Sequence, residues 1–317
     1  SLSEYCHVAK GEPGPDSDIR MVYNGTGCGL NEALWAPSFW MPTSASAVRK
    51  ISFYSWMMDL DLGEMFLNFP MDRKVRSFAG VDFKPTKKAI EVLNQARDDG
   101  PEFIDDQERW ERLFMGMRPS PFVAIQYLYL ALELAVGDRR DKNNPMRWDR
   151  LRLNLPGDIC FDPSLPFAMK WNESVDKIAG DVEGFVDDLR TSGFSIENVW
   201  QVSRQIASRL QYQGIQDAPR KRRPPSKNPG AWAGAMHATS SKKVSKSVSE
   251  AKWIKGKWIL TELLKELEGN HLVELDFKIL ESKTGFLGHL SMTFEFMVPF
   301  LKGFYLTLNG WRSGRKE

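Results

Sequence analysis

Apolar and polar positions alternate along the chain in a pattern that predicts both strands and helices. Three segments rich in β-branched and aromatic residues, "DIRMVYN", "SFYSWMMDLDL" and "DKIAGDVEGFV", are predicted strands. Helical spacing predicts helices over "TKKAIEVLNQARDD", "PSPFVAIQYLYLALELAV" and "SIENVWQVSRQIASRLQYQG". In the last of these helices, the predicted core face consists of Val199, Val202, Ile206 and Leu210. The pattern indicates a chain of mixed α and β structure.

The second half of the chain adds two helical blocks and one irregular segment. Residues 249–269 and 277–308 have the apolar spacing of helices or mostly helical structure. Residues 137–172 are polar and rich in Pro, with few periodic apolar positions. This segment is therefore predicted to be a long loop or insertion.

Composition and charge narrow the class of protein. Hydrophobic residues make up 42% of the 317 positions, which is enough for a sizeable core. No apolar run approaches the roughly 20 residues that cross a bilayer, so we expect a soluble intracellular protein without membrane contact, in the cytoplasm or the nucleus. Between Arg220 and Lys257, eleven Lys and Arg residues are accompanied by one acid, Glu250. Because this basic segment also contains Trp, Gly and Pro, it favours binding to nucleic acid.

Asp187 and Asp188 are adjacent carboxylates directly after a predicted strand. One interpretation is a solvated hairpin turn, because Asp side chains accept hydrogen bonds from nearby backbone N–H groups. The other interpretation is a metal site, which needs a further carboxylate from elsewhere in the chain. Asp61 is the candidate, since it ends a predicted strand and is followed by Phe66 and Pro70. Asp59, on the same face of a regular strand, is the alternative.

Six motifs in order resemble the palm and its neighbouring regions in reverse transcriptases, particularly those of long-terminal-repeat and tyrosine-recombinase-type retrotransposons. "FVDD" resembles the family's Tyr-x-Asp-Asp hairpin, and "DLGEMF" resembles its Asp-x-x-x-x-aromatic strand. "GMRPSP" resembles the template-contacting Gly-x-x-x-Ala/Ser-Pro motif, and "WAG" resembles the primer grip. "IRMVYNGTGCGLN", with Arg20, Leu30 and Asn31, is similar to a fingers signature, and "GFLGHLSMTFEFMVPFLKG" is similar to a thumb segment.

The resemblance implies an α+β right-hand polymerase fold, with fingers, a palm that contains an antiparallel sheet, and a helical thumb. The implied divisions are fingers at residues 1–52 and 75–113, palm at 53–74 and 114–239 with the inserted loop 137–172, and thumb at 240–317. The fingers are expected to be incomplete at the N-terminus, because only about 17 residues precede the strand that contains Arg20.

The implied activity is RNA-directed DNA polymerisation, which extends a primer on an RNA or DNA template from deoxynucleoside triphosphates. Two Mg²⁺ ions, with Mn²⁺ as a substitute, make the 3′ hydroxyl nucleophilic and neutralise the leaving pyrophosphate. The implied catalytic residues are Asp61, Asp187 and Asp188, and Leu62 joins them in the implied metal site. Carboxylate oxygens suit hard cations, and three carboxylates so close together would repel one another without cations.

The resemblance also implies contacts to nucleotide and nucleic acid. Arg20 and Lys221 are placed to neutralise the triphosphate, and Phe66 is placed to exclude a ribose 2′ hydroxyl. An ordinary surface cation is the alternative interpretation of Lys221. The residues implied in template or primer binding are Gly116, Ser120, Pro121, Trp232, Ala233 and Gly234.

Several interpretations stay open. The chain is either an active polymerase or a retroelement-derived subunit that has lost turnover and keeps a nucleic-acid-binding or structural role. Trp253 and Trp258 are expected to be packing anchors, with base-stacking platforms as the alternative. The four His residues share no ligand spacing and are expected to be surface or capped residues rather than metal ligands.

Overall fold

A computed structural model describes residues 2–3, 5–9, 19–51, 55–82, 107–163, 165–240, 243–268 and 276–310. The described helices are α1 (Leu30–Ala33), α2 (Ser44–Lys50), α3 (Arg73–Arg76), α4 (Ser120–Val136), α5 (Ile196–Tyr212), α6 (Glu250–Leu267), α7 (Phe277–Ser291) and α8 (Val298–Gly310). The described strands are β1 (Leu2–Ser3), β2 (Tyr5–Ala9), β3 (Ile19–Tyr23), β4 (Trp56–Asp61), β5 (Gly80–Asp82), β6 (Gln107–Arg109), β7 (Arg150–Leu153), β8 (Ala168–Asn172), β9 (Lys177–Ile178), β10 (Asp181–Phe185), β11 (Asp188–Gly193), β12 (Arg223–Ser226), β13 (Gly230–Trp232), β14 (Ala235–Thr239) and β15 (Val244–Ser247).

The chain divides into two compact units. The first consists of Ser1–Trp40, Asp61–Gly137 and Ile206–Ala218, and the second of Met41–Leu60, Asp138–Gln205 and Pro219–Glu317. None of the described helices combines the length and the apolar content needed to span a membrane.

Most elements with a strong local pattern are where the sequence predicts them. The predicted strands appear as β3 and β4, and "DKIAGDVEGFV" forms β9 and β10. The predicted helices appear as α4 and α5, and all four predicted core residues of α5 are at most 1% exposed. The predicted helix at residues 86–99 lies outside the described residues.

The prediction of a loop for residues 137–172 is wrong in part. Strands β7, β8 and β9 form an antiparallel sheet in that order, and β7 and β8 lie within the predicted loop. Every residue of β7 is exposed, so its "RLRL" sequence lacks the one-sided apolar burial that identifies most strands. Backbone pairing and side-chain contacts stabilise this sheet instead. One such contact places the Arg152 guanidinium 3.6 Å from the centre of the Trp171 ring.

In the second unit, a four-stranded sheet has the order β10-β11-β4-β12. Strands β10 and β11 pair antiparallel, as do β4 and β12. The Thr191 hydroxyl on β11 lies 2.6 Å from the Ser203 hydroxyl on α5 and donates to the Met58 carbonyl on β4. These buried polar contacts join β4, β11 and the middle of α5.

The C-terminal helices of the second unit have their own apolar core. Leu263 of α6, Leu287 and Leu290 of α7, and Leu301 of α8 are at most 4% exposed. These residues belong to one cluster, against which Phe294 packs. The second predicted helical block is therefore two helices, because the chain turns after Ser291 and continues through a 3₁₀ turn, Glu295–Met297.

Gly116, in the first unit, lies where two stretches of backbone approach closely. The Tyr23 N–H donates to the Met115 carbonyl at 2.9 Å, and a Cβ on Gly116 would lie 2.0 Å from the Tyr23 carbonyl oxygen. Gly116 also has a φ of 102°, which disfavours residues that carry a side chain. The loop before α4 therefore requires glycine at this position.

We expect Gly116→Ala to lower the free energy of unfolding by at least about 3 kcal/mol, because backbone strain adds to a steric clash. Gly285→Ala is the matched control, since Gly285 is exposed within α7 and its added Cβ would meet nothing within 4 Å. That control should gain about 0.5–1 kcal/mol of helix propensity. Denaturant unfolding measures both changes, and equal stabilities for the two variants would contradict this interpretation.

Candidate active site

The adjacent carboxylates lie at the tip of a tight hairpin. Phe185 on β10 pairs with Asp188 on β11, so Val186 and Asp187 form a two-residue turn. Val186 has a φ of 54°, a conformation that is unfavourable for a β-branched residue. Strain of this kind persists where the surrounding structure enforces it, as is common at functional sites. The prediction of a hairpin turn at Asp187 is confirmed, and this geometry alone does not distinguish a solvated turn from a metal site.

Strand β4, which ends at Asp61, is the neighbour of β11 in the sheet. Among the residues that the structure describes, no group of three His, Cys, Asp or Glu side chains is arranged to hold a metal ion. The convergence of Asp61 with Asp187 and Asp188, and the metal site that includes Leu62, therefore stay predictions.

Asp59, the alternative to Asp61, forms a buried ion pair with Arg190. The Arg190 guanidinium donates to both carboxylate oxygens of Asp59, with Nε–Oδ1 at 2.7 Å and Nη2–Oδ2 at 2.9 Å. Arg223 donates to Oδ2 as well, at 3.1 Å. Because Asp59 and Arg190 are both buried, this bidentate pair is part of the core of the second unit. The pair favours Asp61 over Asp59 as the candidate metal ligand.

His237 is a fully buried residue of β14, which corrects the expectation of a surface or capped histidine. Its Nδ1 lies 2.7 Å from Arg190 Nη1, and its Nε2 lies 3.3 Å from the Ser44 carbonyl oxygen. Since an arginine only donates, Nδ1 must accept and the ring proton is on Nε2. Burial, followed by the positive charge of Arg190, lowers the pKa of His237 to about 4. His237 is therefore neutral near pH 7.

Of the predicted primer-binding residues, Trp232 ends β13, and Ala233 and Gly234 form the two-residue turn that leads to β14. Trp232 is buried, and its Nε1 donates to the Asp188 carbonyl at 3.3 Å. Its ring also packs edge-on against Phe185, with centroids 6.0 Å apart. The structure therefore places this turn against the β10–β11 hairpin that contains Asp187 and Asp188, called the carboxylate hairpin below. Trp232 makes the contact from inside the core. Contact of the turn with a primer stays a prediction.

The turn also contacts the C-terminal helices. Lys252 on α6 places its ammonium 2.9 Å from His289 Nε2 on α7 and 3.5 Å from the Gly234 carbonyl oxygen. Burial, with a smaller effect of the Lys252 charge, lowers the pKa of His289. A neutral His289 can accept from Lys252, so two contacts of the Lys252 ammonium join the two helices and the Gly234 turn.

Glu183, on β10 of the same hairpin, is a second buried carboxylate of the second unit. Lys50 Nζ lies 3.0 Å from its Oε1. Burial raises the pKa of Glu183, while the Lys50 charge lowers it by a smaller amount. This pair anchors helix α2 to β10.

In the first unit, Asn31 holds the loop that contains the predicted template residues. Its Nδ2 donates to the Gly116 carbonyl at 2.9 Å, and its Oδ1 accepts from the Arg118 N–H at 2.8 Å. The loop leads into α4, whose first residue, Ser120, is 1% exposed. Pro121 follows within the first turn, where a missing N–H has no cost. Template contacts of Gly116, Ser120 and Pro121 are not tested by this geometry.

Phe66 lies in a 3₁₀ turn, Met65–Asn68, rather than on a strand as the motif suggests. Asn68 holds this turn, because its Nδ2 donates to the Gly63 carbonyl at 2.9 Å and its Oδ1 accepts from the Gln216 N–H at 2.9 Å. Leu62, just before the turn, is buried and forms a β-bridge with Asp217. The Phe66 side chain is half-buried.

The two predicted triphosphate contacts differ in what the structure shows. Arg20 lies on β3, where it pairs with Val8 of β2, but its side chain is outside the described part of the chain. Lys221 is exposed at the end of a 3₁₀ turn, Pro219–Lys221. Their roles stay predictions.

Trp253 and Trp258 are not the packing anchors that we expected. Both are on α6, and their side chains are 45% and 57% exposed. The Trp253 ring lies 5.7 Å from the Phe294 ring, and the Lys257 ammonium lies 5.8 Å from the centre of the Trp253 ring. The alternative, a platform for stacking, is compatible with this exposure.

Comparisons with known proteins resolve the fold but not the family. No protein-family model matches the sequence, and no curated protein gives a significant match. A foamy viral protease-reverse transcriptase dRH in complex with double-stranded DNA aligns with a TM-score of 0.56 at 12% identity, over 96% of this chain and 41% of that chain. The chain has a reverse-transcriptase-like fold.

Two related structures agree with this result. The foamy viral protease-reverse transcriptase with double-stranded DNA has a TM-score of 0.54 at 13% identity, over 98% of this chain and 52% of that chain. The same enzyme with an RNA/DNA hybrid has a TM-score of 0.53 at 14% identity, over 95% and 30%. This chain therefore spans between 30% and 52% of the length of the structures it resembles.

Arg190, His237 and Asn68 are site residues that the sequence reasoning missed. A signal for Arg190 was present, because Asp59 and Arg190 each lie between buried neighbours within a strand, and a buried charge needs a partner. Asn68 and His237 carry no comparable local signal.

We expect acid to destabilise the fold through His237. Its folded pKa, about 4, lies below the ordinary value of 6.5, so the unfolded chain takes up the proton more readily. The contribution of neutral His237 to the free energy of unfolding is complete above pH 6.5. It is lost as pH falls toward 4, which lowers the free energy of unfolding by on the order of 3 kcal/mol. His237→Asn retains an acceptor for Arg190 without titrating, so its free energy of unfolding should depend less on pH in this window. Parallel pH profiles for the two proteins would contradict the assignment.

Proposed function

We propose that this chain is the polymerase portion of an RNA-directed DNA polymerase from a retroelement, of the long-terminal-repeat or tyrosine-recombinase type. The sheet β10-β11-β4-β12 is its palm sheet, helices α6 to α8 are its thumb, and the first unit contributes fingers. The observation that carries the proposal is the tight hairpin that presents Asp187 and Asp188 beside the strand ending at Asp61, within a reverse-transcriptase-like fold.

The register of the sheet supports convergence of the three carboxylates. Met58 contacts Thr191, and the next residue of β4, Asp59, contacts the preceding residue of β11, Arg190. The two strands therefore run in opposite directions. Continuing this register by two residues predicts that Asp61 and Asp188 reach the same edge of the sheet. Three carboxylates at one edge suit hard divalent cations, and Mg²⁺ takes few protein ligands while retaining waters.

The reaction assigns a role to each of these residues. Asp61, Asp187 and Asp188, with the Leu62 backbone beside them, would hold two Mg²⁺ ions, which supply Lewis-acid activation of the 3′ hydroxyl and charge neutralisation at the pyrophosphate. Arg20 and Lys221 bind the triphosphate, and the Phe66 ring excludes a ribose 2′ hydroxyl. Template and primer lie against the Gly116 loop and the Trp232–Gly234 turn.

Primer extension on an RNA template with Mg²⁺ tests the activity. We expect Asp187→Asn to reduce the extension rate by at least about two orders of magnitude, since metal-based charge stabilisation is worth several kcal/mol. Asp176→Asn is the matched control, because it removes the same charge from an exposed turn of the sheet β7-β8-β9. Nucleic-acid binding without extension by the unaltered chain would favour the catalytically silent subunit instead.

A second test concerns sugar selection. We expect Phe66→Val to retain deoxynucleotide incorporation and to raise ribonucleotide use by about one to two orders of magnitude, since relief of a local clash is worth roughly 1–3 kcal/mol. Phe69→Val is the control, because Phe69 is a buried neighbour that stacks on Tyr127. That control should lose stability and keep its selectivity. Unchanged selectivity in active Phe66→Val would remove Phe66 from the nucleotide site.

A further inference from the structure

The Arg190 guanidinium connects β4 and β11 to the β13–β14 hairpin. The proposed chemistry requires these elements to keep fixed relative positions. Arg190 arises from β11, two residues after Asp188, and its fork is occupied by the Asp59 carboxylate of β4. The remaining N–H groups reach Nδ1 of His237 on β14 at 2.7 Å and the Gly230 carbonyl of β13 at 3.2 Å. The buried Arg190 side chain on β11 therefore contacts three other strands, namely β4, β13 and β14.

The geometry of this contact set is directional. A guanidinium presents its donors in a rigid plane, so four hydrogen bonds from one group constrain both distance and angle. The centre of the Trp232 ring lies 5.7 Å from the guanidinium carbon, and Trp232 Nε1 donates to the Asp188 carbonyl of β11. The two hairpins are therefore linked at two points by polar contacts.

Stability alone does not require a charged network at this place. A buried ion pair is often no more stabilising than apolar side chains of similar volume, because desolvation offsets the attraction. A fully satisfied polar network does specify one geometry among several that apolar packing would tolerate. Asp59, Arg190 and a neutral His237 satisfy each other, while the second cation on Asp59, Arg223, is partly exposed to solvent.

We propose that Arg190 is a positioning residue that holds the β13–β14 hairpin, and any primer end bound at its turn, at a fixed place relative to Asp187 and Asp188. The inference rests on the proposed polymerase function. Arg190 acts through His237, Gly230 and Asp59, and contacts neither nucleotide nor metal in this scheme.

Arg190→Lys is the first test, since it keeps the charge and removes the fork. We expect amide hydrogen exchange in residues 230–239 to rise by about tenfold, with exchange in α5 unchanged, because only the hairpin loses its link. The single-turnover extension rate should fall about 10- to 100-fold at an unchanged KM for the deoxynucleotide, since small misplacement of reacting groups has effects of this size. Arg147→Lys is the control, because Arg147 also donates two hydrogen bonds to an aspartate, Asp149, outside both hairpins.

The double variant Asp59→Leu/Arg190→Met separates positioning from stability. Apolar replacement of both partners should leave the melting temperature close to that of the unaltered chain, yet extension should remain at least about tenfold slower. A folded double variant with full extension rate, or unaltered exchange in residues 230–239, would overturn the proposal. Absence of extension in the unaltered chain would instead contradict the proposed function, and the exchange measurement would still decide whether Arg190 holds the hairpin.

Discussion

The relative placement of the β10–β11 and β13–β14 hairpins in the second unit depends on the buried pair between Asp59 and Arg190. Two charges within the core of a sheet would be strongly unfavourable singly, and each is tolerated because the other is 2.7 Å away in bidentate geometry. The pair lies between neighbouring strands, and its remaining donors reach the β13–β14 hairpin. Removing either partner alone would leave an uncompensated charge in the core, so one buried side chain links the β4–β11 pairing to the place of the β13–β14 hairpin.

The turn of the carboxylate hairpin has a strained backbone at Val186. A valine at positive φ in a two-residue turn is strained, and glycine would be the ordinary choice there. The strain is tolerated because the adjoining strands are held by backbone pairing, by Trp232 and by the Arg190 network. Asp187 lies in this turn, and Asp188 begins β11, the strand beside β4. In the proposed polymerase, this turn and the start of β11 would supply two of the three carboxylates that hold the ions.

Loops of the first unit are held by a different device. Asn31 and Asn68 each use both the donor and the acceptor of one side-chain amide. Asn31 binds the backbone at Gly116 and Arg118, and Asn68 joins the Gly63 carbonyl to the Gln216 N–H. An amide can make these contacts without a charge, so no desolvation of an ion is involved. The Gly116 loop and the turn that contains Phe66 therefore have defined conformations without belonging to a sheet ladder. In the proposed polymerase, these are the loops that face template and nucleotide.

The sequence alone determined the elements whose signal is local. Periodic apolar residues located α4 and α5, the apolar strands located β3 and β4, and Asp187 indicated a hairpin turn, because propensity and periodicity act over a few neighbouring residues. The order of six short motifs also pointed to the reverse-transcriptase-like fold that solved structures support.

Only the tertiary structure decided which charges are paired, which aromatic residues are exposed and which polar segment forms strands. Asp59 meets Arg190 across 131 positions, and Arg190 meets His237 across 47, so no local pattern records either contact. The exposed strand β7 and the exposed Trp253 and Trp258 likewise depend on what packs beside them. Burial and pairing are properties of the folded neighbourhood, and that neighbourhood is assembled from residues far apart in the chain.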